Sequence, residues 1–153
     1  MVQSVVTASA VIAFAERLED DSATFYRMLA ERCTESKELF LSFAGESKRN
    51  KTLIVRTYQE TITDALEACF CFKGMNLGEY SVHTTLPKDA KHTNAFAAAL
   101  KHEEKAIKFC SDAARLSEGF LGTIPRVFKK IAEKRKARQQ VIESLLGKST
   151  TDK

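Results

Sequence analysis

Apolar side chains recur every three or four positions through four long stretches of this chain. That period is the signature of amphipathic helices with one buried face. The first stripe runs Ile12, Ala15, Glu19, Ser22, Tyr26, Leu29. The second carries Phe40, Phe43, Ala44, Ser47, Asn50, Leu53, Ile54, Thr57 and Tyr58. The third carries Phe96, Ala99, Leu100, Glu103, Ala106, Ile107, Cys110, Ala113 and Ala114, and the fourth Phe128, Ile131, Ala132, Arg135, Arg138, Ile142 and Leu145. The pattern predicts an all-α chain with helices at about 8–32, 37–67, 89–117 and 124–146, forming one domain over residues 1–147. Gly147 is expected to close the last helix and to leave 148–153 as a polar C-terminal tail. Thr7 or Ser9 is placed to cap the first helix and Ser36 the second. Thr123 and Pro125 mark the start of the fourth.

Between the second and third stripes, Cys69 to Lys88 loses the helical period and carries Gly74, Asn76, Gly78 and Pro87. That is too long for a tight turn and long enough to travel the length of a bundle. The pattern therefore predicts two antiparallel helix hairpins joined by a long crossover. The alternation Cys69, Phe70, Cys71, Phe72 reads as an apolar loop packed over the bundle.

The two halves repeat. The first and third stripes align at an offset of 84, which sets Glu19 opposite Glu103 and Tyr26 opposite Cys110. The second and fourth align at 88, pairing Phe40 with Phe128, Ser47 with Arg135 and Asn50 with Arg138. Charged and amide or hydroxyl side chains thus stand at matching places where a core wants apolar ones: Glu19 and Glu103, Ser47 and Arg135, Asn50 and Arg138.

Composition changes little. The chain has 153 residues, is 44% apolar and 29% charged, and carries a net charge of +4. That balance fits a single helical domain and does not by itself imply nucleic acid. Four cysteines without a C-x-x-C pair fit reduced thiols in a cytoplasmic protein. The apolar N-terminal stretch is broken early by Glu16 and Arg17, and reads as neither a signal peptide nor a membrane span.

The layout resembles the ferritin-like superfamily, and most closely its rubrerythrin-type branch, over about Thr7 to Leu146. The residues that carry the likeness are Glu19 with Phe25-Tyr26, Phe40 with Phe43-Ala44 ahead of Lys48-Arg49, and Glu103 with Phe109-Cys110. The resemblance implies a four-helix bundle whose first and third helices each give one glutamate to a di-iron centre. Its second and fourth helices would each give a Glu-x-x-His pair. Here Glu19 and Glu103 match the single glutamates, while the paired positions read Ser47-x-x-Asn50 and Arg135-x-x-Arg138. Both histidines and both of the paired glutamates are gone, and so are the C-x-x-C pairs of a rubredoxin-like module.

Two carboxylates in a bundle core without metal must be protonated, hydrated or paired. Arg135 and Arg138 reach the same inward face, and a guanidinium matches a carboxylate in a bidentate fork. The expectation is a remnant site in which the arginines neutralise Glu19 and Glu103, with Ser47 and Asn50 completing the hydrogen bonds. Glu46 and His102 sit one position from the inward sites and Glu133 two. A step of one residue turns a helical side chain by about 100°, so these three are expected off the inward face, as surface residues.

The functional expectation is a non-catalytic structural or partner-binding module without a cofactor, forming a homodimer through helix faces as the resemblance implies. One alternative is a di-iron-type oxidoreductase or peroxide-handling protein using iron or manganese at a non-standard site. A second is a binding module using the basic run Arg126, Lys129, Lys130, Lys134, Arg135, Lys136, Arg138. The lack of a recognition helix, aromatic platform or glycine-rich loop argues against nucleic acid there. Cys69-x-Cys71 with His83 or His92 is a weak zinc pattern.

Overall fold

A computed structural model describes residues 5–61, 71–81, 86–87, 89–118 and 123–151. Four long helices dominate it: α1 (Ala8–Arg32), α2 (Lys37–Thr61), α3 (His92–Ser117) and α4 (Ile124–Thr151). Thr7 caps α1, its Oγ1 accepting from the Ala10 amide at 3.1 Å. That satisfies one of the amides every helix start leaves without an internal partner. A one-turn 3-10 segment, Thr34–Ser36, links α1 to α2. The expected extension of α2 to residue 67 lies outside the described residues.

Two helix ends differ from the pattern. α3 starts at His92 rather than near 89, because Asp89 lies in a turn and the Ala90 amide donates to the Pro87 carbonyl at 3.1 Å. Gly147 does not close α4, which continues through Thr151. Only Gly74, at φ 77°, adopts a positive φ among the described residues, so Gly147 never enters the left-handed conformation that ends helices. A glycine inside a helix costs about 1 kcal/mol and does not forbid continuation. The polar tail 148–153 is accordingly helical as far as 151.

α1 packs along α2 and α3 along α4. Tyr26 meets Phe40 and Phe43 while Asp20 meets Lys51, so α1 and α2 run in opposite senses. Phe109 meets Phe128 and Glu103 meets Arg135, so α3 and α4 do likewise. Most of the stripe residues are buried, while Leu53, Tyr58, Leu100, Ile107 and Leu145 are half-buried at the edges of the stripes. The buried apolar side chains form two clusters. One gathers Val11, Ile12, Phe109, Phe128 and Ile131. The other gathers Tyr26, Leu29, Phe40, Phe96 and Ile142. The polar positions Glu19, Ser22, Ser47, Asn50, Glu103, Arg135 and Arg138 fall between these clusters in sequence on every helix, and all are buried. The core is thus two apolar layers with a charged layer between them.

The helical period did not announce a small β-ribbon. β1 (Val5–Thr7) pairs antiparallel with β2 (Cys71–Lys73), Val6 opposite Phe72. Phe72 is fully buried and joins Met75 and Tyr80 in the Phe109–Phe128 cluster. Burying a phenyl ring contributes roughly 2–3 kcal/mol, so the connection is anchored to the bundle by its aromatic residues. Tyr80 ends a 3-10 turn (Leu77–Tyr80), and its hydroxyl donates to Asp112 at 2.7 Å. Cys71 is half-buried in β2. Cys69, Phe70 and His83 lie outside the described residues.

Candidate functional site

Arg135 enters the charged layer from the middle of α4 with no exposed surface. Its Nη1 donates to both Glu103 oxygens, at 2.8 and 3.0 Å. Its Nη2 donates to Glu19 Oε1 at 2.7 Å and to Ser22 Oγ at 3.0 Å, and Nε adds a longer bond to Glu19 Oε1 at 3.3 Å. These five bonds match the five N–H donors of a guanidinium. One arginine therefore bridges carboxylates from α1 and α3, which the repeat sets opposite each other. Burial alone would lower the Arg135 pKa, but Glu103 and Glu19 hold it well above the usual value.

Glu103 is the most heavily shared acceptor. Besides Arg135, its Oε2 accepts from the Tyr26 hydroxyl and lies 3.7 Å from Arg138 Nη1. Burial pushes its carboxyl up, yet Arg135 and Arg138 more than offset this and hold it below the ordinary range. The Tyr26 phenol moves the other way, raised well above its usual value by burial and by the Glu103 charge. Tyr26 is therefore a neutral donor.

Arg138 completes the layer. Its Nη1 donates to Ser47 Oγ at 2.9 Å, and its guanidinium lies over the Tyr26 and Phe43 rings, 5.8 and 5.6 Å from their centroids. Its Nε donates to Glu46 Oε1 at 2.7 Å. This corrects the surface assignment of Glu46. Its Cβ leaves from the flank of α2, but three carbons let the carboxylate curl back to Arg138, with the side chain 27% exposed. Glu133 stays on the surface, paired with Lys136.

His102 is a second correction, being 2% exposed rather than on the surface. α1 and α3 approach closely enough there for its Nε2 to lie 2.6 Å from Ser22 Oγ. Ser22 has one proton, which it donates to the Leu18 carbonyl at 2.7 Å, and it already accepts from Arg135. Nε2 therefore carries the imidazole proton and donates to Ser22. Burial, with Arg135 and Arg138 close by, lowers the His102 pKa to about 4, although Glu103 opposes this. A neutral imidazole is thus wired through one hydroxyl to the ionic cluster.

Asn50 departs from its expected role. It is fully buried, but neither amide atom finds a hydrogen-bond partner among the described residues. Of the two small polar residues on α2, only Ser47 completes the network. Cys110, which stands where the repeat has Tyr26, is fully enclosed, and burial pushes its thiol up to about 12. It is an unreactive space-filler. Cys33 is also buried and its thiol raised by burial. His92 sits exposed at the start of α3, against the Arg32 carbonyl.

The sequence brought Glu19, Ser47, Glu103, Arg135 and Arg138 onto inward faces, and the structure joins all five into one cluster. Ser22, Tyr26, His102 and Glu46 were missed as members. Ser22 and Tyr26 lay on the Glu19 stripe, so a polar atom on an inward stripe was the available signal. Nothing local marked His102 or Glu46, because their roles depend on the distance between helices.

The donor set does not fit a di-metal centre. Arg135 occupies the space between the two carboxylates. No group of three or more His, Cys, Asp or Glu gathers for a metal ion among the described residues. Compared with known proteins, the chain matches no family model, no curated protein and no solved structure. Among the described residues, no helix is long and apolar enough to cross a membrane.

Proposed function

We propose that this chain is a ferritin-like, rubrerythrin-type bundle of two antiparallel hairpins joined by a crossover, in which guanidinium groups have replaced a di-iron centre. In this reading it is a non-catalytic structural or partner-binding module of the cytoplasm that pairs with itself through helix faces. The repeat, the long connection and the inward glutamates support the ferritin-like assignment. The observation that carries the functional reading is Arg135, fully buried and bonded to both Glu19 and Glu103. A permanently charged guanidinium between two carboxylates offers no open coordination position and no group that titrates near neutrality.

What such a layer supplies is connection. It ties α1, α3 and α4 together at one level and draws α2 in through Arg138. Breaking a buried ion pair costs several kcal/mol, even though the intact pair need not outperform apolar packing. The decisive test is metal content after expression in iron-rich and manganese-rich media. The expected result is well under one ion per ten chains, and near-stoichiometric metal would refute the reading. Light scattering of the same sample tests the self-pairing, for which a monomer at micromolar concentration is the contrary result.

A further inference from the structure

The basic run of α4, which suggested a binding surface in sequence, is spent in part on ion pairs. Four of its seven cations are in ion pairs: Arg135 and Arg138 in the core, Lys129 with Glu118 and Lys136 with Glu133. Arg126, Lys130 and Lys134 of that run are in no ion pair among the described residues, and a second unspent group, bordered by two surface clefts, lies on α2. Between Glu46 and Glu60 that helix carries Lys48, Arg49, Lys51 and Arg56 and no acid. Glu46 is turned to Arg138, and Lys51 is held by Asp20 at 2.8 Å. Lys48, Arg49 and Arg56 are exposed, and none forms an ion pair with another described residue. Two adjoining surface clefts, of about 570 and 360 Å³, share Lys48, Thr52 and Arg56, with half-buried Val55 and Leu53 in their walls.

We infer that this face of α2 docks an acidic amphipathic segment of a partner protein, a deepening that rests on the partner-binding reading above. Lys48, Thr52 and Arg56 follow one another at intervals of four along one line of the helix. At 1.5 Å per residue the two cations stand about 12 Å apart along the axis. Carboxylates two helical turns apart on a partner helix span the same length. Leu41, one of the two most exposed large apolar side chains among the described residues, lies about two turns further toward the start of α2, where an apolar side chain of the partner would meet it. Glu16 and Asp20 line the opposite wall of the larger cleft. An acidic partner whose carboxylates face only Lys48 and Arg56, with apolar side chains turned to the acidic wall, suits the cleft, whereas the continuous negative charge of a phosphate backbone does not.

The test uses the full chain and a fluorescent helical peptide of about 16 residues, with glutamates two turns apart and leucines on the same face. Saturable binding is expected, weakened about tenfold or more by Lys48→Glu/Arg56→Glu and by replacing the peptide glutamates with glutamine. A peptide carrying lysines in their place should bind the reversed-charge variant better than the native protein. Circular dichroism of that variant should be unchanged, since both positions are exposed. The inference is overturned by absent binding, by equal binding of the glutamine peptide, or by indifference to the charge reversal. Tighter binding of a single-stranded oligonucleotide through the same residues would also overturn it. So would a homodimer that dissociates when Lys48 and Arg56 are reversed, since the occupant would then be a second copy. Metal content measured on the same samples separates the two claims. A silent peptide with metal-free protein removes only the docking surface, while stoichiometric iron removes the reading beneath it.

Discussion

Replacing Arg135 with methionine keeps most of the side chain's volume and removes the charge that two buried carboxylates share. Glu19 and Glu103 are 1% and 0% exposed, so neither can turn to water without opening the bundle. Removing one member of a buried ion pair costs about 3–5 kcal/mol. One guanidinium serves two acids here, which places the cost at the upper end. The folded variant can relieve it by binding a proton. At pH 7, neutralising a carboxyl whose unfolded pKa is about 4.3 costs roughly 4 kcal/mol, and at pH 5 only about 1. The deficit against the native protein should therefore be about 4–5 kcal/mol at pH 7 and shrink by nearly 3 kcal/mol at pH 5. The sign follows from linkage. A carboxyl whose folded pKa is raised binds its proton more readily in the folded chain, so relative stability rises as pH falls. Urea titrations followed by circular dichroism at both pH values measure this directly. A total stability of about 5–15 kcal/mol leaves room for the variant to fold. The double change Glu19→Gln/Arg135→Met, which leaves only Glu103 charged and still held by Tyr26 and Arg138, should be less damaging than Arg135→Met alone. A deficit under about 1 kcal/mol, or one equal at the two pH values, would refute the account of the charged layer.

Further outcomes follow from the same geometry. His102 titrates at about 4 in the folded chain and near 6.5 when unfolded. Below 6.5 the unfolded state takes up a proton that the folded state refuses, so stability should fall by roughly 3 kcal/mol as pH drops from 6.5 to 4; His102→Gln should flatten that part of a stability–pH profile. Tyr26→Phe removes the hydroxyl donated to Glu103 without leaving a large void, and should cost about 2 kcal/mol in chemical denaturation, typical of a bond to a charged group. Glu46→Gln should cost only about 1 kcal/mol by the same measurement, because its carboxylate reaches solvent and is screened.

The sequence by itself determined the four amphipathic helices, the repeat between the halves and the inward placement of Glu19, Glu103, Arg135 and Arg138. Those are consequences of a 3.6-residue period, which local spacing expresses in full. It did not determine where α4 ends, because Gly147 has the same identity whether it stops a helix or merely weakens one. Nor did it reveal the ribbon of Val5–Thr7 with Cys71–Lys73, a pairing between segments more than sixty residues apart. Only the tertiary structure decided that Glu46 curls inward, that His102 is buried against Ser22, and that Asn50 stays outside the network. Periodicity gives the direction in which a Cβ leaves its helix. Which polar atoms then meet depends on the separation of helix axes and on the reach of long side chains, and both are set only when all four helices pack at once.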